Sequence, residues 1–243
     1  MNKLMQFLRT VYLFPFSILM GMSSSAVQSQ GTTLHIAGTA ATPESLTAIT
    51  VGYPTILAIT GHAGVANGDV VTFADFTGAD AATLNGQTAV VKNYATGATN
   101  DTFAVDINTV GKTITLGTAT ATPTAWIKVG QITDIKGTSD TSPDIDVTDL
   151  DSTTKEYLPG LPDTGNVNMT VFCVDSDTGL AAIEAAFDAR ISKSFKVTYP
   201  SGATPIRTFS AFVKSFPKIG DASKDGVVTG SVELKRSGSV TKS

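Results

Sequence analysis

Cysteine, histidine and tryptophan are all scarce: one Cys, two His and one Trp among 243 residues. With Cys173 as the sole thiol, an internal disulfide and any site built from several thiolates are excluded. Cys173 falls in phase with Val167, Met169 and Val171, which predicts a small buried core residue, not a reactive thiol. His35 and His62 lie far apart in the chain, so a zinc site or a Ser-His-Asp arrangement lacks the partners it would need, and both are expected to be packed or solvated. Charge is also sparse, at 16% of residues, with a formal net charge of -4 and a pI of about 5.1. That balance removes any general attraction to phosphate or to an anionic membrane. No glycine-rich loop follows a strand and opens a helix, so nucleotide binding has no anchor, and no aromatic cluster marks a sugar site. No cofactor, resident metal or catalytic constellation is expected.

What remains is 42% hydrophobic, with 22 Gly and 10 Pro and much Thr, Ser, Ala and Asp. This is a globular, β-rich composition, and the length suffices for one large β domain or two smaller ones. The period-two pattern supports a mainly β fold: Leu34 and Ile36, then Phe195, Val197 and Tyr199, then Val228, Gly230, Val232 and Leu234 each read as a half-buried strand. Residues 208–216 place aromatics on both faces, which predicts a central strand covered on both sides, or a bulged one before Pro217. One helix stands out. Asp177 or Thr178 can cap it, Leu180, Ile183, Phe187 and Ile191 form an apolar stripe, and five alanines favour helix. Asp177 and Glu184 early, with Arg190 and Lys193 late, suit the macrodipole. The stripe should pack on a sheet face.

Residues 47–124 read as a self-contained small all-β unit. Asn67-Gly68-Asp69 and Asn85-Gly86-Gln87 are turns, each leading into a strand, and residues 102–106 and 112–116 supply more strands. The flanks 40–43 and 118–123 have nearly the same Ala/Thr/Pro composition, as expected for linkers around a domain inserted into a loop of another. From Gly137 to Gly165 apolar periodicity gives way to Asp140, Asp144, Asp146, Asp149, Asp151 and Glu156, punctuated by Pro143, Pro159 and Pro162. A polar connection of this length, still carrying Ile145, Val147, Leu150, Tyr157, Leu158 and Leu161, is expected to gain order against another subunit.

Residues 1–21 carry Lys3, Arg9 and an apolar run, which has the form of a secretory signal peptide. The competing expectation, and the preferred one, is an upstream start that precedes the true one at Met22. Three motifs mislead. Leu161-Pro162-Asp163-Thr164-Gly165 matches a sortase signal, but strands follow it instead of a membrane tail. The Asp-Thr-Gly triplets at 163–165 and 177–179 lack the apolar strands that aspartic proteases place before them. The acidic run 144–149 lacks the glycine and the final glutamate of a helix-loop-helix calcium loop.

From Ile127 onward the order of features resembles the tail tube (major tail) protein family of long-tailed bacteriophages. Residues 130–135 are similar to its early strand, 145–161 to its long loop, and 209–216, after the helix, to its late strand; residues 26–36 are similar to its opening. The resemblance implies a discontinuous tail-tube-type β-sandwich or barrel over 22–46 and 125–243, with one packed helix. It implies a virion structural protein, not an enzyme, assembled in the host cytoplasm as hexameric rings stacked into a tube. The partners it implies are sister copies and the tape-measure, tail-tip and terminator proteins, with DNA passing the lumen without specific binding and no membrane involved. The subunit interface it implies is the loop, at Asp144, Asp146, Asp149, Asp151, Tyr157, Leu158, Pro159 and Leu161, with Tyr157, Leu158 and Leu161 as apolar anchors. The 47–124 insert looks like the small β domains compared with the first catalytic-cysteine half-domain of ubiquitin-activating enzymes, though it contains no cysteine. A secreted β-rich adhesin or carbohydrate-binding module is the alternative that the signal-like start supports.

Overall fold

A computed structural model describes residues 29–61, 64–200, 205–224 and 226–243. The expectations for residues 1–21 and for His62 lie outside these. The chain begins with β1 (Thr33–Ala40), β2 (Glu44–Thr50), β3 (Thr55–Thr60), β4 (Val70–Ala74), β5 (Thr88–Val90), β6 (Lys92–Ala95) and β7 (Asn100–Val105) among the described residues. Then follow β8 (Thr120–Val129), β9 (Ile132–Gly137), β10 (Asp144–Asp146), β11 (Tyr157–Pro159) and β12 (Asn166–Phe172). Helix α1 (Thr178–Ala189) precedes β13 (Ser192–Thr198), β14 (Ile206–Ser215) and β15 (Thr229–Lys242). Antiparallel pairing joins most strands in the order β6-β7-β3-β2-β8-β1-β13-β14-β15-β12-β9, with β4 also on β8 and β5 on β4; β10 and β11 pair only with each other. The fold is mainly β, as the period-two patterns require.

Two hydrophobic clusters divide this sheet. In the first, Leu34, Ile36, Phe195, Phe209, Ala211, Val232 and Leu234 turn the same way from β1 and β13–β15 and meet α1. Phe195 and Phe209 stack with ring centroids 5.9 Å apart. The helix lays Leu180, Ile183 and Ala186 on them, each buried, and burying Leu180 and Ile183 contributes about 1.5–3 kcal/mol apiece. Asp177 caps it, one carboxylate oxygen accepting from Leu180 N at 2.8 Å and the other from Gly130 N at 3.0 Å, so the cap also ties the helix to the β8–β9 turn. Gly179 lets α1 touch β8: a Cβ there would meet Lys128 O at 2.4 Å. Of the side chains named for the macrodipole, Asp177 stands at the N-cap and Arg190 at the C-cap, in the left-handed conformation, whereas Glu184 lies beyond the first turn and pairs with Lys218 at 2.8 Å, which Asp188 shares at 2.7 Å.

The second cluster gathers Leu46, Leu57, Ile59, Phe73, Leu84, Phe103 and Ala121 from β2–β4, β7, β8 and the loop before β5. The two clusters share β8. Its first half, at Thr120 to Pro123, pairs with β2 and β4, and its second half, at Thr124 to Val129, pairs with β1. Residues 120–123 are therefore strand where a linker was expected, because their carbonyls and amides complete both ladders. Residues 112–116 are not a strand. Only Thr115 bridges, to Thr77, since the segment closes a turn region instead of extending a sheet.

A polar joint seats the second cluster against the sheet beside β1. Asp69, buried, accepts from Lys196 Nζ at 2.8 Å, Trp126 Nε1 at 2.7 Å and Ala66 N at 2.8 Å. Lys196 Nζ also lies 4.6 Å from the Trp126 ring centroid, a cation–π contact. Next to it Gly68, at φ +81, accepts from Thr208 Oγ1 at 2.8 Å and leaves room for Ile206, whose Cγ2 would lie 2.3 Å from a Cβ. His35, in register with Lys196 and Lys128, has a buried Nδ1 without a hydrogen-bond partner.

Four burial expectations change. Ile191, named for the helix stripe, lies two residues beyond α1 and is 45% exposed. Phe212 is 42% exposed although β14 is a central strand, because the face opposite the core is open at that end. Cys173 lies one residue beyond β12 and is half-buried, against Gly220 and Gly230. Tyr199 and Val228 fall just outside β13 and β15 and stay partly exposed, whereas Gly230, Val232 and Leu234 are buried as expected.

Candidate assembly surface

The connector from β9 to β12 is not structureless: it folds back on itself as a β-hairpin arm. Its ladder starts at the base, where Thr138 N donates to Asn166 O at 2.8 Å and Thr141 and Asp163 exchange both backbone bonds. It continues through β10 and β11, with Asp144 opposite Pro159, Ile145 opposite Leu158 and Asp146 opposite Tyr157, and on to Val147 N donating to Glu156 O. Local sequence builds the tip. Asp146 accepts from Thr148 N at 3.0 Å, while Asp149 accepts from Asp151 N at 3.0 Å and Ser152 Oγ at 2.9 Å, the side-chain-to-backbone closures that Asp favours in turns. Hydrogen bonding from the Thr148 side chain and backbone holds the Asp146 carboxyl below its ordinary range. Ser152, followed by the Asp151 backbone, does the same for Asp149. These two carboxylates hold the arm's shape, and Asp144 and Asp151 have no side-chain partner among the described residues.

The base of the arm is clamped to β15. Arg236 pairs with Asp140 and donates from Nε to Gly165 O at 3.2 Å. Lys235 pairs with Asp163 at 2.8 Å and donates to Thr164 O at 2.6 Å, while Thr164 Oγ1 donates to Arg236 O at 2.6 Å. A Cβ on Gly165 would lie 2.1 Å from Thr138 O, so the two legs of the arm can meet there only through glycine.

Every large apolar residue of the arm is exposed, Leu150 fully and Leu161 at 90%. Strand alternation separates the three expected anchors: Leu158 shares a face with Ile145 and Val147, while Tyr157 points the other way with Asp144 and Asp146. Ile145 is thus the cross-strand partner of Leu158, a role that belongs to the pairing register and was absent from the expected set. The arm thus presents an uncovered apolar face, of Ile145, Val147 and Leu158, on one of its two sides. Beside the arm, β9 pairs only with β12, which leaves its outer edge open among the described residues.

Asp163 and Asp177 of the two Asp-Thr-Gly triplets are committed to Lys235 and to the helix cap. Among the described residues no three His, Cys, Asp or Glu side chains stand where they could hold a metal ion, and no helix is long and apolar enough to cross a membrane.

No curated protein matches the chain. The family described as Lambda phage tail tube protein, TTP, matches residues 115–242, from the turn before β8 to the last residue of β15. That span holds the arm, α1 and most strands of the first cluster, and it is just over half of the chain. The chain therefore belongs to the lambda phage tail tube protein family, and it is a structural component of a phage tail.

Proposed function

We propose that six copies of the chain close into a ring and that rings stack into the hollow tube through which DNA leaves the virion. The exposed arm, carrying apolar and acidic side chains on a clamped base, is the observation that carries this reading. Burying Leu161 against a sister copy would contribute about 1.5–3 kcal/mol, and the half-exposed Ile145 and Leu158 roughly half of that each. Pairing the open edge of β9 with a neighbouring copy would remove a strand edge that otherwise invites indiscriminate pairing. Carboxylates facing the bore of such a tube would repel phosphate and let DNA slide without specific contacts. The partners in this reading are sister copies and the tape-measure, tail-tip and terminator proteins, met in the host cytoplasm.

The unit built on the second cluster would stand outside the bore, since a body of that size inside it would block passage. Electron microscopy of the concentrated protein tests the proposal, with native mass spectrometry of the rings to count subunits. Stacked rings with a central bore and a six-fold mass are expected. A protein that stays monomeric at every concentration, in the absence and presence of tail-tip protein, would remove the basis for the reading.

A further inference from the structure

The joint between the two hydrophobic clusters is polar, and it holds a histidine that no other feature of the fold employs. Strand pairing puts Trp126 and Lys128 of β8, His35 of β1 and Lys196 of β13 on the sheet face turned away from α1, with His35 in the middle row. The turn at Gly68 and Asp69 closes over this face from the unit built on the second cluster. Among the described residues, the charged groups around His35 are Lys128 from β8, Lys196 from β13 and Asp69 from the turn, two cations to one anion. The Asp69 carboxylate is already shared by Lys196, Trp126 and Ala66 N, so an imidazolium at His35 gains it only in competition with Lys196. His35 Nδ1 is buried without a hydrogen-bond partner. A neutral ring tolerates this by carrying its proton on Nε2, whereas an imidazolium has to donate from both nitrogens. One hydrogen bond at the Lys196 backbone offsets this in part.

The joint is built so that it can part. Beside the turn, β4 and β5 face the sheet across a crevice of about 150 Å3, lined by Val70, Thr88 and Val90 on one side and by Ser194, Ser210 and Thr241 on the other. The sheet side is hydroxylic, a surface that water solvates readily. Apart from Asp69, the contacts across the joint are Thr208 Oγ1 on Gly68 O, Ile206 against Gly68, and Ser243 Oγ on Val91 O at 3.4 Å. The chain crosses between the units at residues 40–44 and at Pro123 and Thr124, where β8 changes partners. Rotation at these two crossings separates the units and leaves both cores closed.

We propose that the joint is a latch released by acid: protonation of His35 lifts the turn at Gly68 and Asp69 off the sheet and frees the second unit to pivot on residues 40–44 and 123–124. Burial and the two lysines hold His35 below its ordinary value of 6.5 while the latch is closed, so the open form takes up the proton first. The closed form is favoured above that value, loses ground as the pH falls through it, and loses no more below the closed-form value. The latch belongs to the single chain and is independent of the tube reading.

Exchange of the Trp126 indole proton, followed by NMR on the full chain, tests it, because that proton is bonded to Asp69 and Trp126 is the only tryptophan. Its protection factor should fall severalfold from about pH 7.5 to about pH 5.5, while amides of the β3–β7 and β13–β14 ladders keep theirs. His35→Gln should hold the factor level over the same range. Lys128→Gln, a change on an exposed side chain, should shrink the fall because one facing cation is gone. Asp69→Asn should lower protection at every pH, as expected of a proton that reports on the latch. A wild-type factor that stays level, a fall as large in His35→Gln as in the wild type, a fall shared by both ladders, or full protection in Asp69→Asn overturns the proposal.

Discussion

Replacing Asp69 by alanine should loosen the joint between the two hydrophobic clusters more than any other single polar change. The substitution removes the acceptor shared by Lys196 Nζ, Trp126 Nε1 and Ala66 N, and leaves an ammonium whose side chain is only 14% exposed without its counter-charge. Breaking a buried pair from one side costs about 3–5 kcal/mol. Lys196 keeps its contact with the Trp126 ring and its stem can bend its head toward water, which sets the expectation at the lower end, about 3 kcal/mol. Trp126 is the only tryptophan and sits in the joint, so its fluorescence reports on that place alone. In a urea titration, Asp69→Ala should shift the Trp126 emission to the red at a lower denaturant concentration than the loss of far-ultraviolet β signal. Asp69→Leu combined with Lys196→Met should recover much of the loss, because no buried charge is left alone. If Asp69→Ala unfolded within about 0.5 kcal/mol of the wild type with an unchanged Trp126 transition, the joint would not hold the units as argued.

Gly179→Ala should destabilise by about 1–3 kcal/mol, since its Cβ would overlap the Lys128 carbonyl and push α1 off β8; thermal unfolding measures it. Leu158→Asp together with Leu161→Asp should leave the monomer's melting temperature unchanged, because both side chains are exposed, while abolishing filaments seen by electron microscopy. His35 is held below its ordinary value of 6.5 by burial and then by Lys196 and Lys128, with a hydrogen bond at the Lys196 backbone and then Asp69 opposing more weakly. The unfolded chain therefore binds the proton first, and stability falls as pH drops below about 6.5, down to the lower folded-state value. The melting temperature should drop between about pH 7.5 and about pH 5.5, and less so in His35→Gln, where no proton is taken up.

Much of what was legible from the sequence lies within a few residues of where it acts. Asp177 and the alanine-rich stripe specify α1 because a cap and a helical period are local, and Leu34, Ile36, Val232 and Leu234 are buried because alternation assigns a face before any partner is known. The turns at Gly68 and Gly86 are likewise local, each at positive φ and leading into β4 and β5. The acidic, proline-marked connector was recognisable as a surface feature, but its hairpin was not. Residues 144–147 do alternate polar with apolar, but over four residues only, and β11 is three residues long and exposed on both faces, so nothing local announced that the two segments pair.

Only the folded chain decided the rest. Ile145 meets Leu158 through a pairing register, β8 serves both clusters because two ladders converge on it, and Phe212 is left open because nothing among the described residues crosses that end of the sheet. Asp69 finds Lys196 across 127 positions of sequence, a contact that no periodicity encodes. The amino-acid order by itself determined the capped helix α1, the alternating strands β1, β13 and β15, the glycine turns at 68 and 86, and which side chains there seek cover. Tertiary structure decided which segments face one another, because strand pairing and burial depend on groups brought together from distant parts of the chain.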